Sequence, residues 1–389
     1  VWTAALEEKE KRPAMLWIHG GGFEFGGSED PRYDGAHMAT KCVVVASINY
    51  RLGAFGYLAL PQLDHGKHKS GNFGLQDIIA ALKWVRTHID EFGGDPDRIT
   101  LWGESGGAHA IGLLMASPLT KSLFHQAIME SGAFWESEHG EASSFEQARQ
   151  LGEIFTQRVG VTSEEDLRAL PASVVNQAEP WDPATDPGTT AYSPSIDDYV
   201  LTDNPSNVFR EGKQLKIPVL AGINAKEELI LASRALPIPN LTTFLSEAEL
   251  VFESKTPDFL ALYPAATLAD ATASALALDG DLIIREQTQE AIDYTYLNAD
   301  QPVWAYHFTY SSAYSPVPLH TAELPFIYGN LVIDQGGPPT AADYAFSDKL
   351  VAYWSNFAKT GSCWKLRHTQ CNRSHRMMVI GSDRQIVLY

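Results

Sequence analysis

The stretch Trp102-Gly103-Glu104-Ser105-Gly106-Gly107-Ala108-His109-Ala110 constrains the fold of this chain more than any other. The run from Ile99 to Trp102 reads as a strand, and Gly106 to Ala116 reads as a helix of small and apolar residues. A Gly-x-Ser-x-Gly pentapeptide joins the two. A strand that turns into a helix over so few residues leaves no space for bulk at Gly103 or Gly107. It also forces Ser105 into strained backbone geometry with its hydroxyl projecting from the turn. Nothing in a purely structural protein calls for that arrangement.

The flanking pattern supplies the rest of the architecture. Met15 to His19 and Cys42 to Asn49 read as buried strands, the first ending in Gly20-Gly21-Gly22. Leu75, Ile78, Ile79, Leu82 and Val85 recur at helical spacing between Gly74 and Asp90. Asp95-Pro96-Asp97 reads as a turn, and Ala127 to Glu130 as a strand. Such alternation predicts a mostly parallel sheet wrapped by helices, with a site beyond the carboxyl ends of the strands. After Ser131 the texture changes. Helices are expected over Ser143 to Gly160 and Ser163 to Leu170, the second opened by a Thr162/Glu165 capping box. An irregular stretch runs from Pro171 to Pro205, and a strand from Pro218 to Gly222. Helices over Leu241 to Phe252, Ser274 to Asn298 and Ala341 to Lys359 surround a strand at Val303 to Tyr310. Met377 to Ile380 and Gln385 to Leu388 suggest a closing hairpin. No linker divides the chain, so residues 1–389 are expected to form one α/β domain.

Composition excludes several classes of function. With 44% hydrophobic and 20% charged residues the chain is not disordered. A net charge of −19 repels phosphate backbones and anionic lipid, so nucleic acid is not an expected partner. No apolar stretch is long enough to be a transmembrane segment. Cys42 opens the run Val43-Val44-Val45 and is expected to be a buried thiol, while Cys363 and Cys371 could close a small disulfide loop in an oxidising compartment. The oligomeric state is not encoded in any pattern here.

A serine hydroxyl is a weak nucleophile. It needs a base, a carboxylate to orient that base, and donors for the oxyanion that develops on the attacked carbonyl. The glycines after His19 let backbone N–H groups approach a ligand oxygen, and the N–H of Gly106 would join them. Among twelve histidines, His320 stands in a late loop after a strand, where an acid–base residue belongs. His109 is tied to the helix after Ser105, His65 and His68 lie in a polar loop, and His19 contributes its backbone. For the carboxylate, Glu227 and Glu228 follow a strand and fit; Asp197 and Asp198 fit less well. Spacing alone leaves Glu227 and Glu228 open.

These segments together resemble the type-B carboxylesterase/lipase family of the α/β-hydrolase superfamily, which includes the cholinesterases. The matching stretches are Leu16 to Phe23 (LWIHGGGF), Ile48 to Gly56 (INYRLGAFG), Gly71 to Asp77 (GNFGLQD) and Phe92 to Pro96 (FGGDP). Gly103 to Ala108 (GESGGA), Gly222 to Glu227 (GINAKE) and His320 to Phe326 (HTAELPF) complete the set. The resemblance implies an α/β-hydrolase fold with helical insertions in the C-terminal half. It implies a catalytic triad of Ser105, Glu227 and His320, an oxyanion hole of Gly21, Gly22 and Gly106, and Ser131 supporting the acid. It implies a buried Arg51–Asp77 ion pair, and a substrate pocket walled by Glu104, Phe134 and Trp135 within the loop Gly132 to Glu136; ordinary core packing is the other reading of the two aromatics.

The implied function is a serine carboxylic-ester hydrolase acting through an acyl-enzyme on small to medium esters, with no metal or organic cofactor. A lipase on longer acyl glycerides is one alternative; a catalytically inactive truncated or adhesion-type member is another. An unperturbed imidazole titrates near ~6.5, so activity is expected to fall as the pH drops through that region. Several departures stand out. Val1-Trp2-Thr3 corresponds to a strand that a substantial segment precedes in the family, so the chain reads as truncated at its N-terminus. Gly106 stands where alanine is usual, and no cysteine lies between Val159 and Leu170. A basic, cysteine-containing stretch from Ser362 to Ser374 replaces the family's Trp-Pro pattern. Sequons at Asn240 and Asn372 accord with the secreted location the family implies.

Overall fold

The apolar runs of the sequence become the strands of a computed structural model that describes residues 1–7, 10–66, 68–134, 143–178, 192–228, 236, 238, 240–298, 301–331, 336–362, 377–381 and 387–388. In chain order the strands are β1 (Arg12–Ile18), β2 (Val44–Ile48), β3 (Gly94–Glu104), β4 (Gln126–Glu130) and β5 (Ser143–Ser144). They continue with β6 (Ser195–Ile196), β7 (Val219–Asn224), β8 (Val303–Thr309), β9 (Met377–Gly381) and β10 (Val387–Leu388). Eight of them form one sheet in the order β10-β9-β8-β7-β4-β3-β1-β2, and β5 and β6 form a separate parallel pair. Every neighbouring pair in the large sheet is parallel except β9 with β10, which form the expected closing hairpin. This is the α/β-hydrolase type of architecture: a mostly parallel sheet flanked by helices.

Strand side chains alternate between the two faces, and the core divides accordingly. Leu16, Ile18, Leu101, Met129 and Ala221 enter the larger cluster; Met15, Trp17, Trp102, Ile128 and Leu220 enter a second one. Both faces are thus dry, which is why these strands read as unbroken apolar runs. The helix Ala341–Thr360 covers the second face with Leu350, Val351, Trp354 and Phe357, and opens with a capping box between Thr340 and Asp343. Three helices, Leu241–Phe252, Thr256–Leu262 and Leu268–Gly280, build a third cluster around Phe244 and Phe259. These are the helical insertions expected in the C-terminal half.

Several local expectations are corrected. Asp95-Pro96-Asp97 is not a turn before β3 but part of it. Pro13 pairs with Asp95 and Ala14 with Ile99, so the intervening residues bulge out of register. The helix Glu164–Ala169 is capped by Ser163, whose side chain accepts the Asp166 N–H, and not by Thr162. Cys42 is exposed with φ +61°, because β2 begins only at Val44. The irregular stretch after Pro171 contains a short helix, Ala172–Gln177. Arg51 does pair with Asp77 through two bonds of 2.7 and 2.8 Å. The arginine side chain is nevertheless 51% exposed, so the pair is not buried and is braced by Phe73 beneath the guanidinium. In place of a strand at Val1-Trp2-Thr3, Trp2 makes a single antiparallel bridge to Val45 on the outer edge of β2. Cys363, Cys371 and the sequon at Asn372 lie outside the described residues.

Close backbone approach explains the glycines of the serine turn. A Cβ added to Gly103 would lie 2.6 Å from the Ile18 carbonyl oxygen, and one added to Gly107 would lie 2.0 Å from it. Ile18 ends β1, held on both sides by β2 and β3, so it cannot retreat. Gly107→Ala is therefore expected to destabilise at or beyond the upper end of the ~1–3 kcal/mol typical of overpacking. Gly160→Ala is the control. There φ is +71° with nothing within 4 Å, and only a left-handed penalty of ~1–2 kcal/mol applies. Urea denaturation midpoints of the two variants test the difference.

Candidate active site

Ser105 stands between β3 and the helix Gly106–Ala116 with φ +53° and ψ −123°, the strained geometry expected of this turn. Its N–H donates to the Glu130 carbonyl at 2.9 Å, and its carbonyl accepts the His109 N–H at 2.9 Å. Both backbone groups are tied down and the side chain is left half-buried. His109 is fully buried beneath the turn, and burial pushes its imidazole down to about 3, so it stays neutral.

The glycine loop closes over this turn. A Cβ on Gly106 would lie 2.9 Å from the Gly22 nitrogen, so the loop backbone packs closely against the start of the helix. Gly21 has φ +112° and Gly22 φ +60°, conformations that side-chain-bearing residues avoid. Sequence reasoning gave the His19 ring no part, yet it is buried and holds the loop. Its Nδ1 lies 2.8 Å from the Gly20 carbonyl oxygen, and its face stacks on Tyr50 at 4.6 Å. The Tyr50 hydroxyl donates to the His19 carbonyl at 3.0 Å.

Two loops from the far half of the sheet meet at the same edge. Glu227 follows β7. Its Oε1 accepts the Ser131 hydroxyl at 2.7 Å and the Asn224 N–H at 2.5 Å, and its Oε2 accepts from His320 Nδ1 at 2.7 Å. Asn224 acts as a clamp between the loops. Its side-chain amide donates to the Leu319 carbonyl at 2.7 Å and to Glu323, while the Lys226 N–H donates to the Pro318 carbonyl at 3.0 Å. His320 Nε2 lies 3.1 Å from Glu104 Oε1. No hydrogen bond joins it to the Ser105 hydroxyl among the described residues. A Cβ on Gly20 would lie 2.8 Å from the other Glu104 oxygen and 3.0 Å from Ser105 Cβ, so serine and glutamate crowd one glycine.

Burial dominates the electrostatics. Glu104, Glu130, Glu227 and Glu323 are all essentially inaccessible to water. Burial pushes the Glu104 carboxyl up to about 7, with His320 opposing the rise. Burial, then the Glu104 and Glu227 charges, push Glu323 up to about 8. Burial also pushes Glu130 well above the carboxylate range, although Trp354 Nε1 donates to it. Burial pulls the His320 imidazole down, but Glu104 at one nitrogen and Glu227 at the other outweigh it and hold it at about 9. The expected titration near that of a free imidazole is thereby displaced upward.

The remaining candidates sort by position. Glu228 faces outward and pairs with Lys226 at 3.2 Å. Asp197 accepts the N–H groups of Tyr199, Val200 and Leu201 at 3.1, 2.8 and 2.9 Å, which organises its own loop. Phe134 is fully buried edge-on to Phe209 at 4.8 Å, a core side chain. Trp135 and Glu136 lie outside the described residues. His65 is exposed beside Glu164. Asn224, Glu323 and Glu130 were missed by the sequence reading. Glu323, three residues past His320, carried a signal in its helical spacing; Glu130 and Asn224 looked like ordinary strand ends. No group of three or more metal-ligating side chains occurs among the described residues.

Comparison with known proteins identifies the family. A family model described as the carboxylesterase family matches residues 1–376. The chain is similar to a fumonisin B1 esterase of Sphingopyxis macrogoltabida, 32% identical over 375 residues that cover 93% of this chain and 67% of the relative. It is similar to a para-nitrobenzyl esterase of Bacillus subtilis (strain 168), 33% identical over 369 residues, 90% of this chain and 71% of that one. A solved structure titled as a thermophilic PNB esterase superposes with a TM-score of 0.82 at 30% identity, covering 97% of this chain and 78% of that chain.

The carboxylates around His320 make a measurable claim. By NMR its imidazole is expected to titrate near 9. Glu104→Gln removes one anion that favours the imidazolium, so the midpoint is expected to move down, toward ~6.5. An unmoved midpoint would show that Glu104 does not act on the ring.

Proposed function

The chain belongs to the carboxylesterase family, and from that premise we propose that it hydrolyses small to medium carboxylic esters through a Ser105–His320–Glu227 triad. The observation that carries this reading is the 2.7 Å contact of His320 Nδ1 with Glu227, whose other oxygen is held by Ser131 and Asn224. A carboxylate so anchored fixes the imidazole tautomer that leaves Nε2 able to accept a proton.

In the proposed reaction the Ser105 oxygen attacks the ester carbonyl carbon as its proton passes to His320 Nε2. The carbonyl π electrons move to oxygen, and that oxyanion receives the N–H groups of Gly21, Gly22 and Gly106. Collapse of the tetrahedral species breaks the bond to the alkoxide leaving group, which takes the proton from His320. Water then gives a proton to His320 as it attacks the acyl-serine carbonyl; collapse of this second tetrahedral species breaks the bond to the Ser105 oxygen, which takes the proton back from His320 as the carboxylic acid leaves. The sequence requires Nε2 to exchange Glu104 for the Ser105 hydroxyl. Such contacts are commonly long or misaligned until substrate is bound. Glu104, whose carboxyl is pushed up to about 7, takes the Nε2 proton as the contact breaks, so the ring is left neutral at Nε2 and no second buried anion remains beside the reaction.

The test is Ser105→Ala. It is expected to lose fluorophosphonate labelling and on the order of 10⁴–10⁶ in kcat, measured on p-nitrophenyl esters of increasing acyl length. Its cooperative melt should be retained. Retention of most esterase activity by the variant overturns the assignment.

A further inference from the structure

Behind the end of β7 lies a cavity of about 60 Å³ that the triad does not use. It is walled by β7, β8 and the helix Gln287–Asn298. At ~10–15 Å³ per water it takes about four to six non-hydrogen atoms. Ile223, Ala305 and Ile292 give it apolar walls, and Arg285, Thr288, Gln289 and His307 give it a polar side. Thr288 is 1% exposed, and its hydroxyl has no hydrogen-bond partner among the described residues. The Nε2 of His307 is likewise buried and unpartnered. An uncompensated buried hydroxyl costs ~1–3 kcal/mol, so a ligand or solvent that pairs with it is favoured.

Arg285 stands in a π-helical turn, Asp281–Glu286, a wider coil that recurs at functional sites. One edge of its guanidinium is committed. Nη2 donates to the Ala225 carbonyl at 3.0 Å, and Nε lies 3.0 Å from Asp281 Oδ1. The Nη1 edge has no partner among the described residues. The guanidinium, the hydroxyl and an imidazole N–H can donate, while the Gln289 amide at the exposed mouth already donates to Asp293 at 3.0 Å. Residues that can donate on one side and aliphatic walls on the other match a planar anionic head with a short alkyl tail.

We propose that this cavity binds short-chain carboxylates, the carboxylate held by Arg285, Thr288 and His307 and the alkyl group by Ile223, Ala305 and Ile292. Ester hydrolysis releases ligands of this class, but the site is argued from the cavity and stands apart from the triad reading. A bound ligand would touch the elements that hold the acid. Gly222 accepts the Ser131 N–H at 2.8 Å, and Arg285 grips the carbonyl two residues before Glu227.

Thermal melting of the full chain tests this, with sodium acetate or isobutyrate exchanged for sodium chloride at fixed ionic strength. The carboxylates are expected to raise Tm saturably, and acetamide and isobutyramide are not. Thr288→Val, which keeps the shape and removes the hydroxyl, should weaken half-saturation about tenfold. Fluorophosphonate-blocked protein should respond like the free protein, which separates this site from the serine. In the wild-type chain the His307 ring resonances, assigned through His307→Gln, should move with isobutyrate and not with isobutyramide; this readout serves if Thr288→Val does not fold. The proposal is overturned by no saturable shift, by equal shifts with the amides, by an unchanged response in folded Thr288→Val, or by loss of the response on blocking the serine.

Discussion

Four glutamate side chains lie out of water at the carboxyl edge of the sheet, and the structure sets one imidazole, His320, between two of them. Ionised carboxylates cannot be stacked in such a place without compensation. The molecule answers residue by residue. Glu227 receives a hydroxyl, a backbone N–H and the ring nitrogen. Glu130 and Glu323 receive one neutral donor each, from Trp354 and Asn224, and burial favours their protonated forms. Glu104 falls between these cases. The site is an unequal partition of protons among like groups, and the imidazole between Glu104 and Glu227 inherits its basicity from it.

That partition depends on the sheet. Residues far apart in sequence meet because parallel strands deliver all their carboxyl ends to one edge. β3 ends just before Ser105, β4 just before Ser131, β7 leads into Glu227, and the chain reaches His320 after β8. The loops are then joined to each other and not only to the sheet. Asn224 holds the acid with its backbone and the histidine loop with its side chain. Two dry faces of side chains keep the strands in register beneath this edge.

Much of this was legible in the sequence, and the reason is local. Tight turns need glycine, and buried parallel strands need uninterrupted apolar runs. So β4, the serine turn and the helix Gly106–Ala116 could be read within a residue, and β1 within three. Family resemblance chose Glu227 over Glu228; in the structure Glu227 touches His320, and Glu228 pairs with Lys226. What could not be read depends on the third dimension. The bulge in β3 follows from pairing with β1. The exposure of Arg51 and of Cys42 follows from where their segments meet the surface. The contact of Glu104 with His320 joins residues more than two hundred positions apart, and no spacing rule reaches that far.

Ser105 and Ser131 share a further trait. Both have φ +53° at the ends of neighbouring strands, and each passes its N–H to the next strand over, to Glu130 and to Gly222. The usual remedy for a left-handed residue is glycine, which relaxes the backbone at once. At these two positions that remedy is closed, because one hydroxyl is the proposed nucleophile and the other anchors Glu227. Efforts to make the protein more heat-resistant will find this rim unimprovable, and their gains will come from the outer helices and their caps.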